Sequence, residues 1–206
     1  MKVLLVNGSA HRGGCTFTAL EEVTKGLTAG GVDSEIFQLG NPEIRDCSGC
    51  GACKQLGKCV YDDMVNLFVE KAREFDGFVF GTPVYYAHPS GRILSLLDRA
   101  FYSGASAFAF KPAAAVVSAR RSGTTASFDV LNKYFTINNM PIVSANYWNN
   151  IHGNFPAESI QDLEGLQTMR ALGTNMAWLI KCIDYGRKAG VIRPQPEDKI
   201  RTNFVR

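Results

Sequence analysis

Four of the six cysteines crowd between Cys47 and Cys59, as Cys47-x-x-Cys50-x-x-Cys53 with Cys59 following, in a stretch that also carries Gly49, Gly51 and Gly57. Thiolates are soft ligands, and glycines let a backbone fold tightly around whatever the sulfurs hold. The spacing suits a compact iron–sulfur cluster, whose irons take thiolates on all sides. Zinc ribbons pair their ligands as two well-separated C-x-x-C knuckles, which this segment does not do. Two other readings of the same residues stay open: small buried hydrophobes, or a redox-active thiol pair.

A second set of residues points to phosphate. Asn7-Gly8-Ser9-Ala10-His11-Arg12-Gly13-Gly14-Cys15-Thr16 supplies hydroxyls, cationic side chains and glycines directly before a helix start. Free backbone amides and the positive end of the helix dipole suit an anion there. Gly14 stands where an ATP-type loop has Lys, and the dinucleotide pattern G-x-G-x-x-G is absent. Gln38 stands where a ribose-binding acid would end the second strand, so a monophosphate is expected. Further on, Thr82-Pro83-Val84-Tyr85-Tyr86 offers exposed backbone and aromatic faces for a flat ring; a core edge or a subunit contact would use the same tyrosines.

These loops need a scaffold, and strand and helix patterns alternate from the first residue, the signature of a parallel sheet covered on both faces. Lys2 to Asn7 reads as the first strand and Leu20, Val23 and Leu27 as one face of a helix, with Thr18 and Glu21 at capping-box separation. Asp33 to Leu39 predicts a second strand, followed by the Cys-rich loop and a helix from Asp62 towards Glu74. Gly77 to Gly81 is wholly apolar, as a strand buried on both faces must be. Ile93, Leu97 and Phe101 mark the next helix, Ala113 to Ser118 a fourth strand and Phe128, Leu131 and Phe135 another helix. Pro141 to Ala145 predicts a fifth strand, and a long amphipathic helix follows from Leu163 to about Tyr185, ahead of a tail containing Pro194 and Pro196. The fold class is α/β, a doubly wound five-stranded parallel sheet of flavodoxin-like order 2-1-3-4-5. In such sheets ligands sit at the carboxyl ends of the strands, which gathers the loops Ser9–Thr16, Pro83–Ser90 and Ser118–Gly123.

At 206 residues, 46% hydrophobic and 20% charged, the chain reads as one domain over 1–206, with the Cys-rich loop at 46–60 and a C-terminal helix and tail as its elaborations. The net charge of +3 is spread without long runs, which gives no sign of a nucleic-acid or membrane-surface partner. The N-terminal apolar run is too short for a signal sequence or a membrane span, and clustered thiols are unlike a secreted disulfide framework, so a cytoplasmic protein is expected. No H-E-x-x-H or G-x-S-x-G occurs. His88 reads as a solvent-facing loop residue, Cys182 as core, and the aromatic stretch Asn146 to His152 as pocket lining or subunit contact.

With these residues in view, the chain resembles the flavodoxin-fold NAD(P)H-dependent FMN reductases, through the N-terminal Gly-Ser loop, the TPVYY segment and Ser90-Gly91-x-x-x-x-Leu96-Leu97-Asp98-Arg99. The resemblance implies that Ser9, His11, Arg12, Cys15, Thr16 and Thr18 surround the FMN phosphate. It also implies that Pro83, Val84, Tyr85 and Tyr86, with Ser118, Arg120, Arg121 and Gly123, border the isoalloxazine. Where the family's commonest loop has Pro and Asn, this chain has Ala10 and Cys15, leaving the Cys15 backbone to replace a side-chain amide. The cysteine segment is similar to the compact motif of the iron–sulfur flavoproteins on the same fold. That likeness implies a four-iron four-sulfur cluster on Cys47, Cys50, Cys53 and Cys59, close to a neighbouring subunit's flavin in a homodimer or homotetramer.

The expected function is that of an oxidoreductase taking hydride from NAD(P)H onto FMN and passing electrons to a small-molecule or protein acceptor. No side-chain acid or base is demanded, because the cofactor carries the chemistry. The rival reading is an iron–sulfur flavoprotein that relays electrons between protein partners without direct use of nicotinamide; a binding or sensor domain without turnover is a third.

Overall fold

Strands buried on both faces must be apolar throughout, whereas helices need only one apolar stripe, and that contrast organises the chain. The computed structural model describes residues 1–195 and 197–202. In chain order it contains β1 (Lys2–Asn7), α1 (Cys15–Ala29), β2 (Asp33–Gln38), α2 (Cys53–Leu56), α3 (Met64–Ala72), β3 (Gly77–Tyr85), β4 (His88–Pro89), α4 (Gly91–Gly104), β5 (Ala113–Ala119), α5 (Thr124–Ile137), β6 (Asn150–His152), α6 (Pro156–Ser159) and α7 (Leu163–Lys188). The sheet runs β2-β1-β3-β5-β6 with all neighbours parallel, and β4 pairs antiparallel with the end of β3. This is the expected flavodoxin-like order. Leu4, Val6, Phe78, Phe80 and Ala115 point to one side, against α3, α4 and α5. Val3, Leu5, Val79, Ala114 and Val116 point to the other, against α1 and α7.

Three expectations need correction. Pro141–Ala145 is not the fifth strand. Ile142 makes one isolated parallel bridge to Ala113, after which the chain leaves the sheet and returns as β6 beside Val117, Ser118 and Ala119. The Asn149 side-chain amide donates to the Ala115 carbonyl (3.0 Å), occupying an acceptor that a continuous strand would have paired. Thr18 and Glu21 form no capping box, because α1 already begins at Cys15. Thr18 lies inside the helix, its hydroxyl turned back to the Gly14 carbonyl (3.4 Å). Cys182 is exposed rather than core. The buried stripe of α7 runs through Met169, Leu172, Gly173, Met176, Ala177 and Ile180, and Cys182 falls two residues beyond it, around the helix. Of the tail prolines, Pro196 lies outside the described residues. Among the described residues no helix is long and apolar enough to cross a membrane.

The helix bearing the phosphate-type loop is clamped to α7. Glu22, nearly buried on α1, pairs with Lys25 on its own helix and with Arg170 on α7. Burial alone would raise its carboxyl, but the hydrogen bonds and charges of Lys25 and Arg170 outweigh it and hold Glu22 below the usual carboxylate value. A depressed folded value gives stability that is complete above about pH 4.5, the ordinary value, and is lost as pH falls through the folded one. Glu22→Gln is therefore expected to lower stability by about 1 kcal/mol at pH 7, because both cationic partners are solvent-exposed. The gap between variant and parent should close in acid, as urea unfolding at pH 7 and pH 3 would report.

Candidate functional site

Two cavities sit where the sequence places its chemistry. The first opens at the carboxyl ends of β1, β3 and β5. Asn7 ends β1 fully buried: its Oδ1 accepts from the Ser9 amide (3.1 Å), and its Nδ2 donates to Gln38 Oε1 (2.6 Å) and the His11 carbonyl (3.4 Å). Gln38 Nε2 donates in turn to the Ser9 carbonyl (2.7 Å), while Ser9 Oγ accepts from the His11 amide (3.1 Å). Side chains of β1 and β2 thus shape the loop and leave the helix tip unspent. Gly14, the N-cap of α1, has no side chain to offer, and the first amide to bond back is Thr18, to the Gly14 carbonyl (3.0 Å). The amides of Cys15, Thr16 and Phe17 consequently lack intrahelical acceptors.

Neighbouring loops lock against this one. The Gly8 amide donates to the Gly81 carbonyl (2.8 Å), and a Cβ at Gly8 would lie 2.7 Å from that oxygen. Ser90 Oγ donates to the Gly8 carbonyl (3.0 Å), and the Ser90 amide to Thr82 Oγ1 (3.0 Å). Thr16 Oγ1 and Ser118 Oγ share a hydrogen bond of 2.7 Å, joining α1 to the end of β5. The open cavity between these loops measures about 790 Å³ and is lined by residues 9–16, 83–85, 118–120 and 153–156.

Of the residues expected around the phosphate, Ser9, His11, Arg12, Cys15 and Thr16 line this cavity, and Thr18 does not. Of those expected at the ring, Pro83, Val84, Tyr85, Ser118 and Arg120 line it, whereas Tyr86, Arg121 and Gly123 stand outside. Tyr86 and Ala87 form the tip of the β3–β4 hairpin at φ 51° and 59°, which turns the Tyr86 side chain fully into solvent. Gly123, at φ +90°, supports that hairpin: a Cβ there would meet the Ala87 Cα at 2.6 Å. The sequence reading missed Gly153, Asn154, Phe155 and Pro156, which close the cavity beside Cys15, whose thiol donates to the Gly153 carbonyl (3.4 Å). A signal existed in Phe155-Pro156, an aromatic followed by a helix-starting proline. Tyr147 and Trp148 pack edge to face on each other, half-exposed, away from the lining.

The second cavity, about 570 Å³, is lined by Cys47, Cys50, Cys53 and Cys59 together with Tyr61, Asp98, Arg99 and Tyr102. Gly49, Gly51 and Gly57 all adopt positive φ, between 66° and 71°, so the backbone turns there as only glycine does freely. Asn66 on α3 fixes one end of the loop, accepting from the Cys59 amide and donating to the Cys59 and Tyr61 carbonyls, each at 3.0 Å. The Ala52 backbone and the Ser48 hydroxyl bond Cys50 and hold its thiol below the ordinary value. Among the described residues no three His, Cys, Asp or Glu side chains are already gathered around a single-ion position. Four thiols border this one cavity, and thiolates are the donor type that an iron–sulfur cluster takes.

Comparison with known proteins gives a consistent setting. An iron–sulfur flavoprotein of Methanocaldococcus jannaschii is 30% identical over 194 residues, covering 89% of this chain and 99% of that protein. An iron–sulfur flavoprotein of Methanosarcina thermophila is 26% identical over 192 residues, covering 91% of this chain and 99% of its own. An archaeal flavodoxin structure superposes at TM-score 0.59 with 14% identity, over 88% of this chain and 99% of that one, and shows the shared fold. The family model for NADPH-dependent FMN reductase matches residues 1–154, and by that match the chain belongs to the NADPH-dependent FMN reductase family.

Proposed function

We propose that the chain is an FMN-dependent NAD(P)H oxidoreductase whose first cavity holds FMN and whose second holds a four-iron four-sulfur cluster on Cys47, Cys50, Cys53 and Cys59. The observation that carries the flavin site is the uncapped tip of α1: Cys15 and Thr16, whose amides lack acceptors, line a cavity of about 790 Å³, within the usual size of cofactor pockets. Bound FMN supplies the hydride and electron chemistry. The chain's own groups bind and orient. The Cys15 and Thr16 amides with Arg12 would meet the phosphate, the β3 end from Pro83 to Tyr85 would give the ring a wall, and Arg120 faces the same space with a cation for an anionic ring or a nicotinamide phosphate. Thr18, Tyr86, Arg121 and Gly123 stand outside that lining, and Gly123 acts by supporting the hairpin.

Support for the cluster lies in the four thiols around one cavity and in the names of the relatives above. The acceptor is proposed to be a small molecule or a redox protein, and exposed Trp178, Tyr185 and Trp148 are the residue types of a contact between copies in a homodimer or homotetramer. Mixing the anaerobically purified protein with FMN and NADPH tests the hydride step, and the flavin absorbance is expected to bleach. An unchanged flavin band under NADPH, together with stoichiometric iron and acid-labile sulfide, would favour the relay between protein partners instead.

A further inference from the structure

Arg99 on α4 is 1% exposed, the largest of the fully buried side chains. Such a cation needs its hydrogen bonds answered. Its Nη1 and Nη2 fork onto the Asp63 carboxylate at 2.6 and 2.7 Å, Nη1 also reaches the Arg45 carbonyl (3.2 Å), and Nε donates to Cys59 Sγ at 3.2 Å. Asp63 is itself held, because it caps α3 by accepting from the Val65 amide (3.1 Å). Two guanidinium groups lie over the Tyr61 ring, Arg99 at 5.0 Å and Arg45 at 5.4 Å from its centre. Asp63 stands outside the lining of the cysteine cavity, and the carboxylate that does line it, Asp98, accepts from the Tyr134 hydroxyl (2.5 Å). Cys53, by contrast, turns its thiol to the Tyr102 carbonyl (3.8 Å).

We infer that Arg99 is the electrostatic positioning residue of the cluster: it orients Cys59 through its sulfur and raises the cluster's reduction potential, with Asp63 setting how much of the guanidinium's charge Cys59 feels. The inference rests on the cluster reading above. Reduction adds one electron, drawn from NAD(P)H by way of the flavin, and makes the thiolate-bound centre one charge more negative; no bond to the protein forms or breaks. A buried cation donating a hydrogen bond to a ligand sulfur stabilises the more negative state, which raises the potential. The Asp63 carboxylate sits on the far side of the guanidinium and opposes that effect from a greater distance. The two residues therefore act with opposite sign.

Sign supplies the test. Asp63→Asn keeps a side chain able to cap α3, and Arg99→Gln keeps a donor near Cys59 without the charge. Anaerobic redox titration of the holoprotein, followed by cluster and flavin absorbance, is expected to place the cluster potential of Asp63→Asn above the parent and that of Arg99→Gln below it. The double variant, which leaves no charge unpaired, should fall between Arg99→Gln and the parent, and the flavin potential should stay in place in all three. A cluster-bearing parent whose potential is unmoved by any variant overturns the inference and leaves the cluster reading standing. Shifts of the same sign in Asp63→Asn and Arg99→Gln, or loss of iron from both, mark a purely structural role and overturn it likewise. A parent holding no iron or acid-labile sulfide removes the cluster reading and the inference together. If Arg99→Gln does not fold, the upward shift of Asp63→Asn decides alone.

Discussion

Gly14→Asp is expected to stabilise the flavin-free protein and to weaken FMN binding by at least about 100-fold. The N-cap of α1 has extended backbone (φ −85°, ψ −179°), and a Cβ there would make only ordinary contacts, the nearest with the His11 Cβ at 3.4 Å, so an aspartate is accommodated at its backbone. Its carboxylate would accept from the amides of Thr16 or Phe17; over glycine such a cap adds roughly a few tenths of a kcal/mol, and its charge at the positive helix end adds about 0.3–1 kcal/mol. The same carboxylate occupies the phosphate's place and repels it; two charges about 4 Å apart near a protein surface interact by about 4 kcal/mol. Thermal unfolding without flavin and flavin fluorescence titration would read the two effects, which run in opposite directions. An aspartate that both stabilises the chain and leaves FMN affinity intact would move the phosphate site elsewhere.

Gly173→Leu is expected to cost more than about 4 kcal/mol and to take flavin binding with it. Helices α1 and α7 meet through Gly26, Gly30, Gly173 and Ala177, close enough that a Cβ on Gly173 would lie 2.2 Å from the Val23 carbonyl and one on Gly26 2.2 Å from the Arg170 carbonyl. Backbone atoms cannot move aside as a flexible side chain can, so the helices must separate. Because α1 carries the phosphate loop at its tip, separation also disperses the site. Urea unfolding of Gly173→Leu, with Leu166→Ala as a control at a half-buried position of the same helix, would separate the close-approach effect from ordinary loss of packing.

The parts legible in the sequence were those fixed by local patterning. Buried strands such as Phe78-Val79-Phe80 are apolar on both faces, and the glycine-rich turn before α1 announces its own backbone needs. The parts that were not legible depend on side chains replacing backbone bonds. The split edge strand rests on one Asn149 amide, and nothing in the run Pro141–Ala145 forecasts that the chain will leave the sheet after a single bridge. Gln38, noted only as the missing ribose acid, proves to brace the Ser9 carbonyl. Gly153 to Pro156 reach the first cavity from a segment far along the chain, a placement that only the return of β6 beside β5 makes. The buried Arg99 sits within a run matched to the FMN reductases, yet its bond to Cys59 spans forty positions and leaves no periodic trace.

Paired equilibrium dialysis with FMN and with riboflavin isolates the phosphoryl group, since the two ligands share the same ring. The free amides at the start of α1 make the prediction that FMN is retained at micromolar concentration or below and that riboflavin binds at least about 100-fold more weakly, as two lost charge-assisted hydrogen bonds imply. Equal retention of the two, or no retention of FMN by the folded chain, would contradict it.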